Sequence, residues 1–132
     1  MINLARGQLA SMKCEELAWQ PSTFASGVFV KNLAVCGDQE MQIVRFEPGA
    51  RFPAHTHEIP EFIYVLEGEV IIAGKRLGPG WASVAGAGSV HADVHSETGC
   101  TFVLVDSAGH RVEPPSPSRS ADGLAAPGCA PP

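Results

Sequence analysis

The sequence is short of basic residues and of long apolar runs. Its nine Lys and Arg are spread along the chain against fourteen Asp and Glu, for a net charge of −5, so a nucleic-acid backbone would find no basic surface. No apolar run approaches the roughly 18 residues that span a bilayer, and the first residues, MINLARGQLASMKCEELAW, lack the hydrophobic stretch of a secretion signal. We therefore expect neither nucleic-acid binding nor membrane insertion, and we expect a cytoplasmic protein.

Cysteine is sparse and widely spaced. Cys14, Cys36, Cys100 and Cys129 form no C-x-x-C pair that could chelate zinc or act as a redox couple. A chain of 132 residues that is 45% apolar can bury the core of one domain, so it needs no disulfide framework. We expect a single domain with reduced, mostly structural thiols.

Helix-forming sequence is also scarce, because Pro and Gly interrupt most of the chain. Only residues 3–18 could hold a short helix, and we treat residues 1–18 as an N-terminal segment. Six of the eleven prolines fall in the last nineteen residues, which contain no aromatic or β-branched side chain. The sequence therefore predicts a domain over residues 19–110 and a Pro-rich, disordered tail over residues 111–132.

The central part of the chain reads as short runs of Val, Ile, Phe and Leu, separated by Gly or Pro every eight to twelve residues. Candidate strands begin at Val28, Met41, Ala50, Glu61, Glu69, Trp81, Ser89 and Cys100. The segments LEGEV, around Gly68, and AGKRLGPGW are typical of tight reversals between strands. This pattern is typical of an all-β sandwich or barrel.

Three metal-binding side chains lie in one otherwise largely apolar segment, GARFPAHTHEIPEFIYVLEG, over residues 49–68. On a strand, His55 and His57 point to the same face about 7 Å apart along the chain, within reach of one ion. Pro60 interrupts regular pairing, so Glu61 can present its carboxylate from the start of the next strand. Imidazole and carboxylate are ligands that iron, manganese, nickel, copper and zinc use in enzymes.

The spacing of Gly49, His55, His57, Glu61 and Gly68 resembles the first motif of the cupin superfamily in every residue type and interval. The second motif is matched less closely. Gly80, Gly88 and His91 fit it, whereas Gly86 stands where proline is expected and His95 stands where asparagine is expected.

Three longer segments extend the resemblance: WQPSTFASGVFVKNL, VRFEPGARFPAHTH and HSETGCTFVLVD. They are similar to the cupin branch related to the sensor half of ChrR-type anti-sigma factors. The resemblance implies a double-stranded β-helix, a jelly-roll-like barrel, in which His91 joins His55, His57 and Glu61 as the fourth metal ligand. The resemblance to single-domain cupins also implies a homodimer, formed by pairing of sheet edges.

Four such ligands on an octahedral ion leave two adjacent positions free, as binding a substrate together with dioxygen requires. We therefore expect an oxygenase acting on a small carbonyl or aromatic compound, with Fe2+ as the working metal and Zn2+, Ni2+, Mn2+ or Cu2+ as alternatives. The same ligands could close a tetrahedron around zinc in a sensor or binding module. A metal-dependent isomerase or cyclase is the third hypothesis.

Two further polar residues follow His91 at strand spacing. Asp93 and His95 share its parity and would face the barrel interior if pairing is regular. There they could orient a ligand ring or act as a general base, and we take them as the candidate catalytic residues. The alternative is that the strand ends near Asp93 and His95 lies at the solvated rim.

Overall fold

The computed structural model describes residues 1–107, which are almost entirely β-structure. One 3-10 turn, Cys14–Glu16, is present where the sequence allowed a short helix. The thirteen strands of the described chain are β1 (Ile2–Leu4), β2 (Gln20–Pro21), β3 (Val28–Cys36), β4 (Gln39–Phe46), β5 (Arg51–Phe52), β6 (His55–Thr56), β7 (Glu61–Gly68), β8 (Val70–Ile72), β9 (Lys75–Leu77), β10 (Ala82–Ala85), β11 (Val90–His91), β12 (Val94–His95) and β13 (Cys100–Ser107).

The largest sheet has seven strands in the order β1-β3-β4-β13-β7-β10, with β2 paired to β3. Its centre is antiparallel, and β13 lies between β4 and β7. Side chains alternate between the two faces, since Ile63 and Val65 of β7 are buried whereas Phe62 and Tyr64 are exposed. The inner face of this sheet therefore forms one wall of the core.

A four-stranded sheet, in the order β5-β12-β8-β9, supplies the opposite wall. Val70, Ile72 and Val94 of this sheet belong to the same buried cluster as Val44 and Phe102 of the large sheet. The two short strands β6 and β11 pair with each other as a third sheet. The fold is the all-β double-stranded β-helix that the resemblance implied.

Each of the eight strands predicted from the sequence overlaps an observed strand, but two of them are divided. Pro53 separates β5 from β6, because proline cannot donate to a strand ladder. The segment from Ser89 is divided into β11 and β12, which belong to different sheets. The short strands β1, β2 and β9 were not among the predicted strands, and β1 extends the large sheet by pairing parallel to β3.

Within the described residues, Cys14, Cys36 and Cys100 are free thiols. Cys100 lies in the core, where burial and then the charge of Glu69 raise its pKa to about 11. Cys129 and the predicted tail lie outside the described residues. No helix in residues 1–107 is long and apolar enough to cross a membrane.

Candidate metal centre and adjoining cavity

Backbone pairing between β6 and β11 brings the candidate histidines together. His55 lies directly opposite His91 in the antiparallel register. The pairing continues past β6, because the amide of His57 donates to the carbonyl of Ser89 at 2.9 Å and the amide of Gly88 donates to the carbonyl of His57 at 2.7 Å. His55 and His57 therefore share one face, as their spacing predicted, and the partner strand adds His91 to it.

The three imidazole rings converge on one point. Their potential ligand atoms all lie within 4.8 Å of one another. Nε2 of His57 and Nδ1 of His91 are 3.0 Å apart and share a hydrogen bond. Two nitrogens bound at right angles to one ion, each about 2.1 Å from it, would also be about 3 Å apart. The spacing of His57 and His91 therefore fits a shared metal ion with little movement.

The surroundings orient the ring of His55 and disfavour the charged form of His91. Nδ1 of His55 donates to the carbonyl oxygen of Pro53 at 2.8 Å, which leaves the lone pair on Nε2. Burial, and then the neighbouring His55, lower the pKa of His91 to about 4. A neutral imidazole with a fixed tautomer is the form that binds a metal.

Glu61 lies beside the three histidines, at the first position of β7. One of its carboxylate oxygens is 3.8 Å from Nε2 of His57. Glu61 is outside the set of mutually close ligand atoms formed by the histidines. Its surroundings nevertheless suit a cation, because burial, and then the charge of Asp106, raise the pKa of its carboxyl group to about 7. A divalent cation would offset this cost of the negative charge, so the donor set fits a metal.

Asp93 and His95 form a separate group on the four-stranded sheet, where His95 lies on β12 between β5 and β8. The carboxylate of Asp93 accepts a hydrogen bond from Arg51 and lies 2.9 Å from Nδ1 of His95. The chain breaks its pairing between β11 and β12, so Asp93 does not continue the strand of His91. Val94 points into the core, and neither Asp93 nor His95 lines the adjoining cavity. Their predicted catalytic role remains a prediction.

A cavity of about 320 Å³ adjoins the histidines and runs between the two sheets. His55, His91 and Glu61 line it at one side. Most of its wall is apolar, formed by Phe24, Val28, Val30, Val44, Phe46, Phe52, Ile63, Val94, Phe102 and Leu104. This volume and lining are typical of a small-molecule site.

The same cavity has a second group of polar residues that the sequence analysis did not single out: Asn32, Glu40, Gln42 and Asp106. Burial, and then the charge of Glu40, raise the pKa of Asp106 to about 6. The period-2 alternation of the predicted strands could have identified them. Gln42 shares the parity of Val44 on β4, and Asp106 shares the parity of Phe102 on β13.

The comparisons with known proteins agree with this architecture. The model of the ChrR cupin-like domain family matches residues 8–108. Comparison with proteins of curated function gave no match.

Among solved structures, the polyketide cyclase RemF from Streptomyces resistomycificus is 20% identical, with a TM-score of 0.72 over 89% of this chain and 91% of that one. A putative acetylacetone dioxygenase from Methylibium petroleiphilum PM1 is 16% identical, with a TM-score of 0.75 over 89% of this chain and 88% of that one. The anti-sigma factor ChrR from Rhodobacter sphaeroides, solved with SigE, is 23% identical, with a TM-score of 0.60 over 73% of this chain and 51% of that one.

These three neighbours have different functions: one is a cyclase, one a putative dioxygenase and one an anti-sigma factor. At identities this low, structural similarity shows a shared fold and not a shared function. The family model, by contrast, covers nearly all of the described domain, including both strands that carry the histidines. The chain belongs to the ChrR cupin-like domain family.

Proposed function

We propose that this chain is a divalent-metal-dependent oxygenase that acts on a small carbonyl-containing or aromatic compound. His55, His57, Glu61 and His91 are the proposed metal ligands, and Fe2+ is the proposed working ion. The observation that carries the proposal is the convergence of three imidazoles, whose potential ligand atoms all lie within 4.8 Å of one another, at the wall of a largely apolar cavity. Similarity to a putative acetylacetone dioxygenase supports the reaction class.

Each protein group has a definite part in this proposal. The imidazoles would provide nitrogen ligands, and Glu61 would add one negative charge to the ligand set. Phe52 packs its ring against His55, with centroids 5.0 Å apart, and the other apolar side chains hold a substrate while limiting the access of water. A ferrous ion, when bound, would supply the Lewis acidity and the redox chemistry that oxygen activation requires.

Oxygen consumption tests the reaction directly. Metal-free protein would be loaded with Fe2+ and assayed in an oxygen electrode against a panel of small 1,3-diketones and hydroxyacetophenones. We expect uptake with at least one compound, and much slower uptake with zinc-loaded protein. Absence of uptake across the whole panel would count against an oxygenase.

Two alternatives give different outcomes in the same experiment. An isomerase or cyclase, suggested by the similarity to RemF, would convert its substrate under nitrogen with zinc or iron alike. A ChrR-like sensor or binding module, suggested by the family, would bind compounds in the cavity without turnover. Product analysis under anaerobic conditions separates the first alternative from the oxygenase, and binding without product identifies the second.

We also propose that the protein is a homodimer. The edge strand β10 pairs on one side with β7, and its other side has no strand partner within residues 1–107. Next to this edge lies an exposed apolar surface, the β7–β10 patch, formed by Phe62, Tyr64 and Val84. A second copy related by a twofold axis would present the same edge and the same patch, so that one contact could cover both.

A further inference from the structure

The inner face of the large sheet is apolar at one level across its strands and polar at another, nearer the histidines. The level occupied by Val30, Val44 and Phe102 is apolar. Nearer the histidines, the polar row reads Glu61 on β7, Asp106 on β13 and Glu40 on β4, and Asp106 lies opposite Glu40 in the register. Because neighbouring strands are about 4.8 Å apart, this polar row extends roughly 5–10 Å from the candidate metal centre.

Gln42 is held in one orientation at this polar end. Its amide nitrogen donates to Oδ1 of Asn32 at 2.6 Å and to Oε1 of Glu40 at 3.0 Å. The reverse orientation would place its carbonyl oxygen against the carboxylate of Glu40, which is repulsive. Both amide hydrogens are therefore used, and Gln42 can offer a ligand only its carbonyl oxygen.

Asp106 adds an acceptor that has no partner. Its Oδ1 atom is shielded from solvent and has no hydrogen-bond partner among the described residues. Leaving a buried acceptor without a donor is unfavourable, and more so when the acceptor is charged. A donor supplied by a bound molecule would remove that cost. The polar end of the cavity thus has an excess of hydrogen-bond acceptors.

We propose that Glu40, Gln42 and Asp106 form a specificity subsite for a hydroxyl group on the substrate. The preferred ligand is a small ketone or diketone with an aromatic ring whose hydroxyl lies roughly 5–10 Å from the metal-binding oxygens. This inference rests on the proposed function and narrows its substrate class from carbonyl compounds in general to hydroxylated ones.

Paired ligands test the subsite without relying on turnover. Zinc-loaded protein would be titrated calorimetrically with 1-phenyl-1,3-butanedione and with its 4-hydroxyphenyl analogue, which share the same metal-binding diketone. One satisfied hydrogen bond to a charged acceptor is worth about 1.5–3 kcal/mol, so we expect the hydroxylated compound to bind at least about tenfold more tightly. The 4-methylphenyl analogue controls for size and should show no such gain.

Two substitutions locate the effect. Asp106→Leu removes both acceptor oxygens of Asp106, and Gln42→Met keeps the length of the side chain while removing its carbonyl oxygen. A hydroxyl donates a single hydrogen bond, so the preference for the hydroxylated diketone should fall toward unity in at least one of the two variants. Glu97→Gln changes an exposed carboxylate outside the cavity and should keep the full preference.

The outcomes separate this inference from the proposed function. Equal affinity of wild-type protein for the two diketones would overturn the subsite alone, as would a preference that survives in both variants. Failure of every diketone to bind metal-loaded protein would overturn the proposed substrate class and the subsite with it.

Discussion

Glu61 is a carboxyl group placed where its own charge is disfavoured. Burial and the charge of Asp106 raise its pKa from 4.5 to about 7 in the protein without metal. A folded-state pKa above the unfolded value means that folding binds a proton between these two pH values. Below pH 4.5 the group is protonated in both states and adds no cost, whereas above pH 7 the folded state bears the full cost of the carboxylate.

Stability of the metal-free protein should therefore depend on pH through Glu61. The lowered pKa of His91 acts in the opposite direction, so the comparison is made between wild type and Glu61→Gln, both of which contain His91. We expect the stability of the variant relative to wild type to rise by about 2–3 kcal/mol between pH 5 and pH 8. Urea unfolding in the presence of a chelator measures this difference.

Glu58→Gln is a matched control for that measurement. It replaces an exposed carboxylate in the connection between β6 and β7, just before Glu61. A relative stability of Glu61→Gln that stays constant across pH 5–8 would contradict the account of Glu61.

Removing one histidine from the cluster should weaken metal binding strongly. His91→Ala deletes one of the three converging nitrogens, so we expect zinc affinity to fall by at least about 100-fold. Competition with a chromophoric chelator measures the affinity. His95→Gln is the control, since His95 contacts Asp93 outside the cluster and its loss should leave the affinity within about threefold. Equal affinities for His91→Ala and wild type would contradict the assignment of His91.

The shared face of His55 and His57 could be predicted from the sequence, because the information is local. His55 and His57 need only the two-residue period of a strand to share a face. The place of His91 came from the family resemblance, since strand pairing between residues far apart in the chain does not follow from either segment alone. The strand period could have placed Asp106 and Gln42 on the inner face, but their role depends on the cavity between the sheets, which neither strand shows alone.

At the scale of elements, the break between β11 and β12 shows where the two-residue period of a strand fails as a guide to which side chains share a face. Counting from His91 would place Asp93 and His95 on the same face, provided that one strand runs through all three. In the structure the chain leaves the β6 pairing after His91 and joins β5 and β8 at Val94. The bond between Arg51 and Asp93 lies at this crossover. No local feature of the sequence marks the change of partner.

Gly68 closes the hairpin at the end of β7, and its position should tolerate no side chain. Its φ is +69°, and a Cβ there would overlap the carbonyl oxygen of Gly99 and come within 2.9 Å of its carbonyl carbon. Because both obstacles are backbone, neither can rotate away. We expect Gly68→Ala to destabilise the protein by at least about 3 kcal/mol in urea unfolding.

Gly74 provides the matched control for steric overlap. Its φ of +78° is also in the left-handed region, but a Cβ there would meet no atom within 4 Å. Gly74→Ala should therefore cost only about 1–2 kcal/mol, the price of the backbone conformation. Similar losses for the two variants would show that contact with Gly99 is unimportant.

At the scale of the whole molecule, the all-β class followed from strand periodicity, and the cupin topology followed from the resemblance. The parallel pairing of β1 with β3 was missed, because Ile2 and Leu4 form too short a segment to show a period. These residues form a strand because their backbone can pair with the edge of β3. Such pairing is decided by tertiary structure, which outweighs the weak local preference of a three-residue strand.

The proposed dimer depends on the β7–β10 patch, where Val84 is 62% exposed and Phe62 is 55% exposed. An unpaired edge beside an apolar surface favours association, and a charge placed in a desolvated contact opposes it. Wild-type protein should have twice the 13.9 kDa mass of one chain in size-exclusion chromatography with light scattering. Val84→Lys should shift it to the monomer mass at micromolar concentration.

Leu9→Lys is the control, because it also replaces an exposed aliphatic side chain with lysine. Leu9 is 95% exposed on the loop after β1 and is remote in sequence from the patch. This substitution should leave the dimer intact. A monomeric wild type would overturn the proposed dimer. A Val84→Lys protein that remains dimeric would instead place the interface on another surface, because a buried lysine in a twofold contact meets its own copy and the two charges repel.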